Sequence, residues 1–442
     1  MAALATPLAN GRRIRVLVVD DSALVRRMVR EALEAAGDIE VVGVAPDPFV
    51  AREKLLELSP DVMTLDVEMP KLDGISFLHA VMAHQPLPVI ILSSVTQEGS
   101  ERALEALAAG AVDVLAKPGA SNSLGDMGAA LVDRVRLAAQ SKFRRRPARP
   151  APPPARTGAA PVANVTPLRA SPTPTPAPRL AETAAPSPGQ AERSVSALIA
   201  QAAQRNAARA AAPRLPVIEV NARWAPDQLI ALGASTGGTE ALAQVLARLP
   251  ANAPPVVLVQ HIHAAFVGSF AHRLNGLCAG QVALAQDGEV LRPGQVRVAP
   301  GDQHLVVERG PEGLRTRLKG GPKVCHQRPA ADVLFHSVAQ AAGPRAVAAL
   351  LTGMGSDGAD GLAAMRRAGA RTLAQDEATS VVWGMPGEAW QRGAAESLVA
   401  LPDVAQALLE RLKRVDAPGA GAPAGGGARL QAVSGSSPRR GG

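Results

Sequence analysis

One serine lies in a glycine-rich turn directly after an apolar run, an arrangement that suits a nucleophile. The turn is Gly233-Ala234-Ser235-Thr236-Gly237-Gly238, and residues 229–232 before it are all apolar. A strand, a tight turn and a helix start would lift the Ser235 hydroxyl off the sheet edge and aim backbone N–H groups at its reaction partner. Such turns also bind phosphates, but a dinucleotide site needs a third glycine three residues after the second, and none stands there. The turn therefore favours attack on a carbonyl group.

A reactive serine needs a general base and an acid that orients the base. His261 directly follows the apolar run 256–260, which places it at the same predicted sheet edge as Ser235. His263 is a second, weaker candidate for the base. Asp357 follows another apolar run in a glycine-rich turn, so it is the candidate acid, although an aspartate there can also simply cap a turn or a helix. The chain order Ser, His, Asp differs from the Ser, Asp, His order of α/β-hydrolases.

A second group of reactive side chains lies far upstream, again where apolar runs end. Its members are Asp20, Asp21, Asp66, Ser93 and Lys117. Because the carboxyl ends of parallel strands meet at one edge of a sheet, we expect these side chains to converge. Carboxylates gathered there suit Mg²⁺, and a lysine and a hydroxyl could hold a phosphoryl group. An aspartate in that company can itself accept phosphate as an acyl phosphate.

The apolar pattern predicts two α/β domains that position these groups. Val/Ile/Leu-rich runs alternate with helix-length stretches, which is typical of parallel, doubly wound sheets. In the first domain we predict strands at 16–19, 41–44, 62–65, 89–92 and 112–115, and helices at 23–36, 48–58, 74–83 and 100–109. In the second we predict strands at 229–232, 256–260, 347–351 and 372–374. Segments 296–298, 305–308 and 314–318 are predicted to form an antiparallel β insertion.

The net charge of +8 comes from one segment of the 442-residue chain. Residues 1–141 carry −6, 142–226 carry +10, 227–414 carry +2 and 415–442 carry +2. Residues 147–216 of the basic segment hold 15 of the 38 prolines, and the whole segment has only two aromatic residues, Phe143 and Trp224, which favours a disordered linker over a nucleic-acid surface. We therefore predict an N-terminal domain at 13–141, a linker at 142–226, a second domain at 227–414 and a disordered tail at 415–442.

Cysteine content and apolar run lengths bear on the cellular compartment. Cys278 and Cys325 are the two cysteines of the sequence, which argues against a disulfide scaffold and fits a reducing cytosol. No apolar run reaches membrane-spanning length. Arg12 and Arg13 follow the apolar start instead of preceding it, which disfavours a signal peptide. We therefore expect a cytoplasmic protein without membrane insertion.

Residues 16–119 resemble a response-regulator receiver domain. The stretch Asp66-Val67-Glu68-Met69-Pro70-Lys71-Leu72-Asp73-Gly74 has the form of the phosphoacceptor loop of that family. The resemblance implies a five-stranded, flavodoxin-like fold with Asp66 as phosphoacceptor and with Ser93 and Lys117 as switch hydroxyl and phosphate contact. It also implies that Asp20, Asp21 and Asp66 hold Mg²⁺ for phosphorylation. Val114 stands where many receivers carry an aromatic switch residue.

Residues 229 to about 412 resemble the catalytic domain of the chemotaxis protein-glutamate methylesterases, the CheB family. The resemblance rests on residues 233–238, 259–261, 298–302, 328–329, 332–337, 352–358 and 384–386. It implies Ser235 as nucleophile, His261 as general base and Asp357 as its orienting partner, with oxyanion donors at Thr236 and Met354. No cofactor is implied for the ester reaction. The chain departs from the family at Ile262-His263, where Met-Pro is usual, and at Gln327, where a histidine usually precedes the arginine.

Together the two resemblances imply a phosphorylation-regulated hydrolase. It would remove methyl esters from glutamate side chains of methyl-accepting chemoreceptors, release methanol and deamidate receptor glutamines. A chemotaxis histidine kinase would supply the phosphate, and the unphosphorylated receiver would cover the catalytic cleft. The alternative is a non-catalytic scaffold that binds methylated receptor peptides. A DNA-binding regulator is disfavoured because no helix-turn-helix-like segment follows the receiver.

Overall fold

The computed structural model describes residues 12–69, 74–117, 124–140, 216–220, 223–412 and 414–415. Most of the predicted linker 142–226 lies outside these residues, as does the predicted tail except for residue 415. Residues 70–73 of the phosphoacceptor loop also lie outside them. The predicted domain limits therefore stay predictions.

The first domain is a five-stranded parallel sheet in the order β2-β1-β3-β4-β5. Its strands are β1 (Ile14–Val19), β2 (Ile39–Ala45), β3 (Val62–Asp66), β4 (Val89–Ser93) and β5 (Asp113–Ala116). Its helices are α1 (Ala23–Glu34), α2 (Pro48–Leu58), α3 (Gly74–His84), α4 (Gln97–Ala108) and α5 (Leu124–Gln140). Alternate residues of β1 pack into two different apolar clusters, Leu17 in one and Val18 in the other. Helices therefore cover both faces of the sheet, which explains the unbroken apolar runs.

The second domain is built on seven parallel strands in the order β15-β14-β13-β7-β8-β10-β9. They are β7 (Leu229–Ala234), β8 (Val256–Gln260), β9 (Gln281–Leu284), β10 (Gln295–Val298), β13 (Ala346–Leu350), β14 (Arg371–Gln375) and β15 (Ser397–Val399). Two antiparallel pairs flank this sheet, β6 (Arg223–Trp224) with β16 (Arg414–Val415) and β11 (His304–Gly310) with β12 (Gly313–Lys319). The helices are α6 (Gly238–Leu246), α7 (Ala264–Asn275), α8 (Ala331–Ala341), α9 (Ala359–Arg367), α10 (Met385–Gln391) and α11 (Val404–Glu410). The predicted fold class, two doubly wound α/β domains with an antiparallel pair in the second, is confirmed.

The prediction for residues 296–298 is wrong. Strand β10 does not belong to the antiparallel insertion, because it pairs in parallel with β8 and β9 in the main sheet. The charged residue Arg297 between two valines gave the segment the pattern of a half-exposed strand. In the structure Arg297 is buried and forms an ion pair of 2.6 Å with Glu289. Its charge therefore does not mark a solvent-facing side.

Both sheets reverse their strand order at one point, and the reactive side chains lie there. The reversal falls between β1 and β3 in the first sheet and between β7 and β13 in the second. Loops at the carboxyl ends of strands diverge at such a point and leave a crevice. Asp66 ends β3, Ser235 follows β7 and the Asp357 loop follows β13. Among the described helices, none is long and apolar enough to cross a membrane.

Candidate active site and phosphorylation site

Ser235 lies in a turn that is held against the loop after β13. Its N–H donates to the Thr352 carbonyl (3.0 Å), and its carbonyl accepts from the Gly238 N–H (2.7 Å). Gly237 has φ +75°, a left-handed conformation that favours glycine, and it precedes the first residue of α6. Gly353 passes so close that a Cβ there would lie 2.7 Å from the Ser235 Cβ. Glycines in both motifs therefore let the two loops pack directly on the serine.

The parallel pairing of β7 with β8 places His261 beside this turn. Its N–H continues the ladder by donating to the Ala234 carbonyl (3.0 Å), and the residue is buried. The imidazole Nε2 lies 2.8 Å from Oδ2 of Asp357. The structure thus brings the predicted base and the predicted acid into direct hydrogen-bond contact.

The Asp357 carboxylate is held by the start of helix α8. The N–H groups of Ala331 and Asp332 donate to its Oδ2 (2.7 Å) and Oδ1 (3.0 Å). Burial acts to raise the pKa of Asp357, but the hydrogen bond and charge of His261 and the two N–H donors outweigh it and hold the pKa below its ordinary value. An ionised Asp357 accepts a proton-bearing Nε2, which leaves Nδ1 of His261 as the basic nitrogen.

Two backbone N–H groups beside the serine are available to a ligand. Within the described part of the chain, the N–H groups of Thr236 and Met354 donate to no backbone or side-chain acceptor. The Met354 side chain is 45% exposed at the mouth of the site. In the same part of the chain the Ser235 hydroxyl makes no hydrogen bond to His261, a contact that often tightens only when substrate binds. Free N–H donors beside a nucleophile are what a developing oxyanion requires.

Sequence reasoning missed three buried polar residues that hold this geometry. The Thr352 hydroxyl donates to the Thr236 carbonyl (3.0 Å) and accepts from the Val382 N–H (3.0 Å). The Thr352 N–H in turn donates to Oε1 of Gln375 (2.8 Å). Gln260 contacts the carbonyl of Ser235. Gln260 and Gln375 are the last residues of β8 and β14, and Thr352 is the second residue after β13. A polar residue at the end of a strand was the signal available in the sequence.

The second candidate for the base is not part of this cluster. His263 is exposed, and its Nδ1 accepts from the Ala265 N–H (3.3 Å) at the start of α7. Gln327, the other departure from the family pattern, exchanges backbone hydrogen bonds with Val324 (2.8 and 3.0 Å). Cys325, which lies between Val324 and Gln327 in the sequence, has its Sγ 3.7 Å from Oδ2 of Asp332. The N–H of Asp332 is one of the two that hold the Asp357 carboxylate. The loop that departs from the pattern therefore borders the acid side of the site.

In the first domain, Asp66 and Lys117 meet at the sheet edge as predicted. The Lys117 ammonium lies 2.7 Å from Asp66 Oδ2 and 2.9 Å from Asp20 Oδ2. Burial acts to lower the pKa of Lys117, but the two carboxylates, Asp66 first, outweigh it and raise the pKa. The Glu68 N–H donates to the other Asp66 oxygen (2.8 Å). The acceptor carboxylate is thus fixed in place beside a cation.

The three predicted metal ligands lie close enough to share one ion. Carboxylate oxygens of Asp20, Asp21 and Asp66 all lie within 4.8 Å of one another. Burial, aided by the charge of Asp66, raises the pKa of Asp20 despite the nearby Lys117. Oδ2 of Asp20 is buried and, apart from its 2.9 Å contact with the Lys117 ammonium, has no hydrogen-bond partner among the described residues. A buried carboxylate oxygen with this unmet demand fits a small cation such as Mg²⁺.

Ser93 points away from Asp66 in this structure. Its hydroxyl lies 2.8 Å from the Gly99 carbonyl and 3.1 Å from Oε1 of Glu68. The same Glu68 oxygen accepts from the Ser94 hydroxyl (2.8 Å). The predicted switch hydroxyl is therefore tied to the start of α4, and Val114 at the aromatic switch position is buried.

The first domain contacts the second at the catalytic turn. The Thr236 hydroxyl donates to Oδ2 of Asp113 in β5 (3.1 Å), and the same oxygen pairs with Arg134 of α5. Helix α4 packs along α7, where the Ser100 hydroxyl lies 3.5 Å from the Ala265 carbonyl. Val381, in the loop before α10, packs against the apolar cluster of the first domain. These contacts place the receiver sheet over the residue next to Ser235.

The two domains are those of a receiver joined to an α/β hydrolase. Two family models match the chain: the CheB methylesterase model over residues 230–408 and the response regulator receiver domain model over residues 16–127. Protein-glutamate methylesterase/protein-glutamine glutaminase 4 of Anaeromyxobacter dehalogenans is 45% identical over 91% of this chain and 96% of its own length. The chain belongs to the CheB methylesterase family.

A further relative and one solved structure are also similar to this chain. Protein-glutamate methylesterase/protein-glutamine glutaminase 2 of Syntrophus aciditrophicus is 42% identical over 90% of this chain and 98% of its own length. The solved CheB methylesterase catalytic domain of Thermotoga maritima is 34% identical and covers 42% of this chain and 99% of that chain, with a TM-score of 0.41.

Proposed function

We propose that this chain hydrolyses methyl esters on glutamate side chains of methyl-accepting chemoreceptors and deamidates receptor glutamines. Membership of the CheB methylesterase family supports this function. The observation that carries it is the 2.8 Å contact of His261 with Asp357, next to a serine turn with two unused N–H donors. A chemotaxis histidine kinase would phosphorylate Asp66, and the protein would act in the cytoplasm.

The reaction runs through an acyl-enzyme. The Ser235 hydroxyl oxygen attacks the ester carbonyl carbon while Nδ1 of His261 takes its proton, and Asp357 stabilises the imidazolium. The tetrahedral intermediate collapses, the carbon–oxygen bond to the methoxy group breaks, and His261 returns the proton so that methanol leaves. Water, deprotonated by His261, then attacks the glutamyl ester and frees glutamate and Ser235. With an amide substrate the same steps release ammonia.

The oxyanion of that intermediate would be bound by the N–H groups of Thr236 and Met354. One such donor is worth about 3 kcal/mol of transition-state stabilisation. Thr352 ties the turn that carries Thr236 to the loop that carries Met354, because its hydroxyl donates to the Thr236 carbonyl (3.0 Å) and its own carbonyl accepts from the Ser235 N–H (3.0 Å). The donors are therefore positioned before the charge develops.

Phosphorylation would relieve the esterase by loosening the receiver. Asp20, Asp21 and Asp66 would hold Mg²⁺, which neutralises charge on the incoming phosphoryl group. A phosphoryl group on Asp66 offers new oxygens to Lys117 and to the Ser93 hydroxyl, which now binds the Gly99 carbonyl at the start of α4. Drawing Ser93 away would free α4, and α4 is the helix that packs on α7 of the catalytic domain.

Methanol release from a methylated chemoreceptor by the purified full chain tests the proposal. Wild type should release methanol, acetyl phosphate should speed the release, and Ser235→Ala should abolish it. Asp66→Asn or EDTA should remove the acceleration and leave the basal rate. Binding of methylated receptor without methanol release by wild type would instead support the non-catalytic scaffold.

A further inference from the structure

Gln260 joins the nucleophile turn to the strand that carries the base. It is the last residue of β8, it directly precedes His261, and its side chain is buried. Its Nε2 donates to the Ser235 carbonyl (2.8 Å) and to the His261 carbonyl (3.1 Å). One amide group thus contacts the backbone of both predicted catalytic residues.

The side chain of Gln260 lies where the β7–β8 ladder ends. Ala234 pairs with Gln260, and the last backbone bond of the ladder runs from the His261 N–H to the Ala234 carbonyl. The Ser235 carbonyl lies just beyond β7, in the turn that its bond from the Gly238 N–H closes. The Gln260 amide is a second donor to this carbonyl, so it joins the end of β8 to the turn that carries Ser235.

The glycine motif is shaped to admit this amide. A Cβ at Gly238 would lie 2.3 Å from Oε1 of Gln260 and 2.6 Å from the Ala234 Cβ. Gly238 therefore leaves the space that the glutamine occupies, whereas Gly237 supplies the left-handed turn (φ +75°). The turn that holds Gly237 and Gly238 thus contacts the end of β8 at Gln260.

The chemistry of the contact calls for a neutral donor. Both partners are carbonyl oxygens, and Oε1 is buried without a hydrogen-bond partner. A glutamate would keep the shape but carry no N–H for the two carbonyls. A leucine would fill the space and leave the Ser235 carbonyl with the Gly238 N–H alone.

We propose that Gln260 is a positioning residue for ester hydrolysis, which fixes the separation of the Ser235 hydroxyl from the His261 imidazole through the two backbone carbonyls. It does not touch substrate. A misplacement of about 1 Å between reacting groups costs on the order of 10²-fold in rate. The inference rests on the proposed function, because it assigns Ser235 and His261 their roles.

The test uses the full chain, activated with acetyl phosphate, carrying Gln260→Leu or Gln260→Glu. We expect kcat for methylated receptor to fall by about 10- to 100-fold with KM within about twofold. Labelling of Ser235 by a fluorophosphonate probe should slow by the same factor. The matched control is Gln228→Leu, another buried glutamine, at the opposite end of β7, which should leave both rates unchanged.

Four outcomes bear on the proposal. An unchanged kcat in Gln260→Glu overturns the proposal, as does a loss in Gln228→Leu equal to that in Gln260→Leu, since both assign Gln260 to packing alone. If the leucine variant fails to fold, the isosteric glutamate variant decides. If wild type releases no methanol, the proposed substrate is wrong, but probe labelling still reports whether Gln260 positions Ser235.

Discussion

Replacing Asp113 with alanine should raise the esterase rate of the unphosphorylated protein. Oδ2 of Asp113 accepts the Thr236 hydroxyl at 3.1 Å, and Thr236 follows Ser235. A hydrogen bond to an ionised partner contributes about 1.5–3 kcal/mol. Because Arg134 shares the same Asp113 oxygen, the lower figure applies. About 1.4 kcal/mol corresponds to a tenfold change in an equilibrium constant.

The assay compares methanol release with and without acetyl phosphate. If the receiver is docked on the second domain in most molecules of the unphosphorylated protein, Asp113→Ala should raise the basal rate about tenfold. The rate of the phosphorylated protein should be unchanged. The matched control is Asp133→Ala, which removes a carboxylate from α5 whose side chain is 68% exposed and should change neither rate. A basal rate in Asp113→Ala equal to that of wild type and the control would refute the view that this contact restrains the esterase.

Four further substitutions test the packing and the electrostatics of the two domains. Gly353→Ala would force a Cβ to 2.7 Å from the Ser235 Cβ, so kcat should fall on the order of 10²-fold; a normal kcat would show that the loop can yield. At neutral pH in EDTA, Asp20→Asn should raise the receiver's thermal midpoint. Burial raises the pKa of Asp20 in the folded protein, so the ionised carboxylate destabilises the fold at pH values above the ordinary pKa of 3.8. Asp38→Asn should lower that midpoint, because Arg136 lowers the pKa of Asp38 in the folded protein. The resulting stabilisation is present above pH 3.8 and is lost as the pH falls through the pKa of the folded state. Midpoint shifts of the same sign in the two variants would contradict this reasoning. Gly268→Ala, at an exposed position of α7 where a Cβ meets nothing within 4 Å, should stabilise the catalytic domain by about 0.5–1 kcal/mol in urea unfolding, and a loss would mean that the helix is strained there.

The sequence predicts what depends on chain position alone. Strands buried on both faces read as apolar runs, and groups that end parallel strands meet at one edge, so Asp66, Ser235 and His261 were placed correctly. Strand partners are harder to predict, because the apolar pattern of one strand does not show which other strand lies beside it in the sheet. For that reason 296–298 was assigned to the wrong sheet.

Contacts between distant loops were beyond prediction. Thr352 acts through the Thr236 carbonyl, 116 residues away, and Asp113 meets Thr236 across 123 residues. Their positions beside strands are visible in the sequence, but threonine and aspartate are common there, so nothing local identifies their partners. Their roles arise only when two domains and two turns pack together.

The way Asp357 is held has a consequence for how such chains diverge. Helix α8 has no side-chain cap of its own at Ala330, and Asp357 from another loop accepts its first N–H groups. The acid therefore closes a helix as well as orienting a base, and its loss would cost stability as well as rate. Among the described residues, the Ser235 hydroxyl makes no hydrogen bond that would stabilise the fold in the same way. A descendant that abandoned the reaction would be free to lose the serine, yet it would still be under pressure to keep the aspartate.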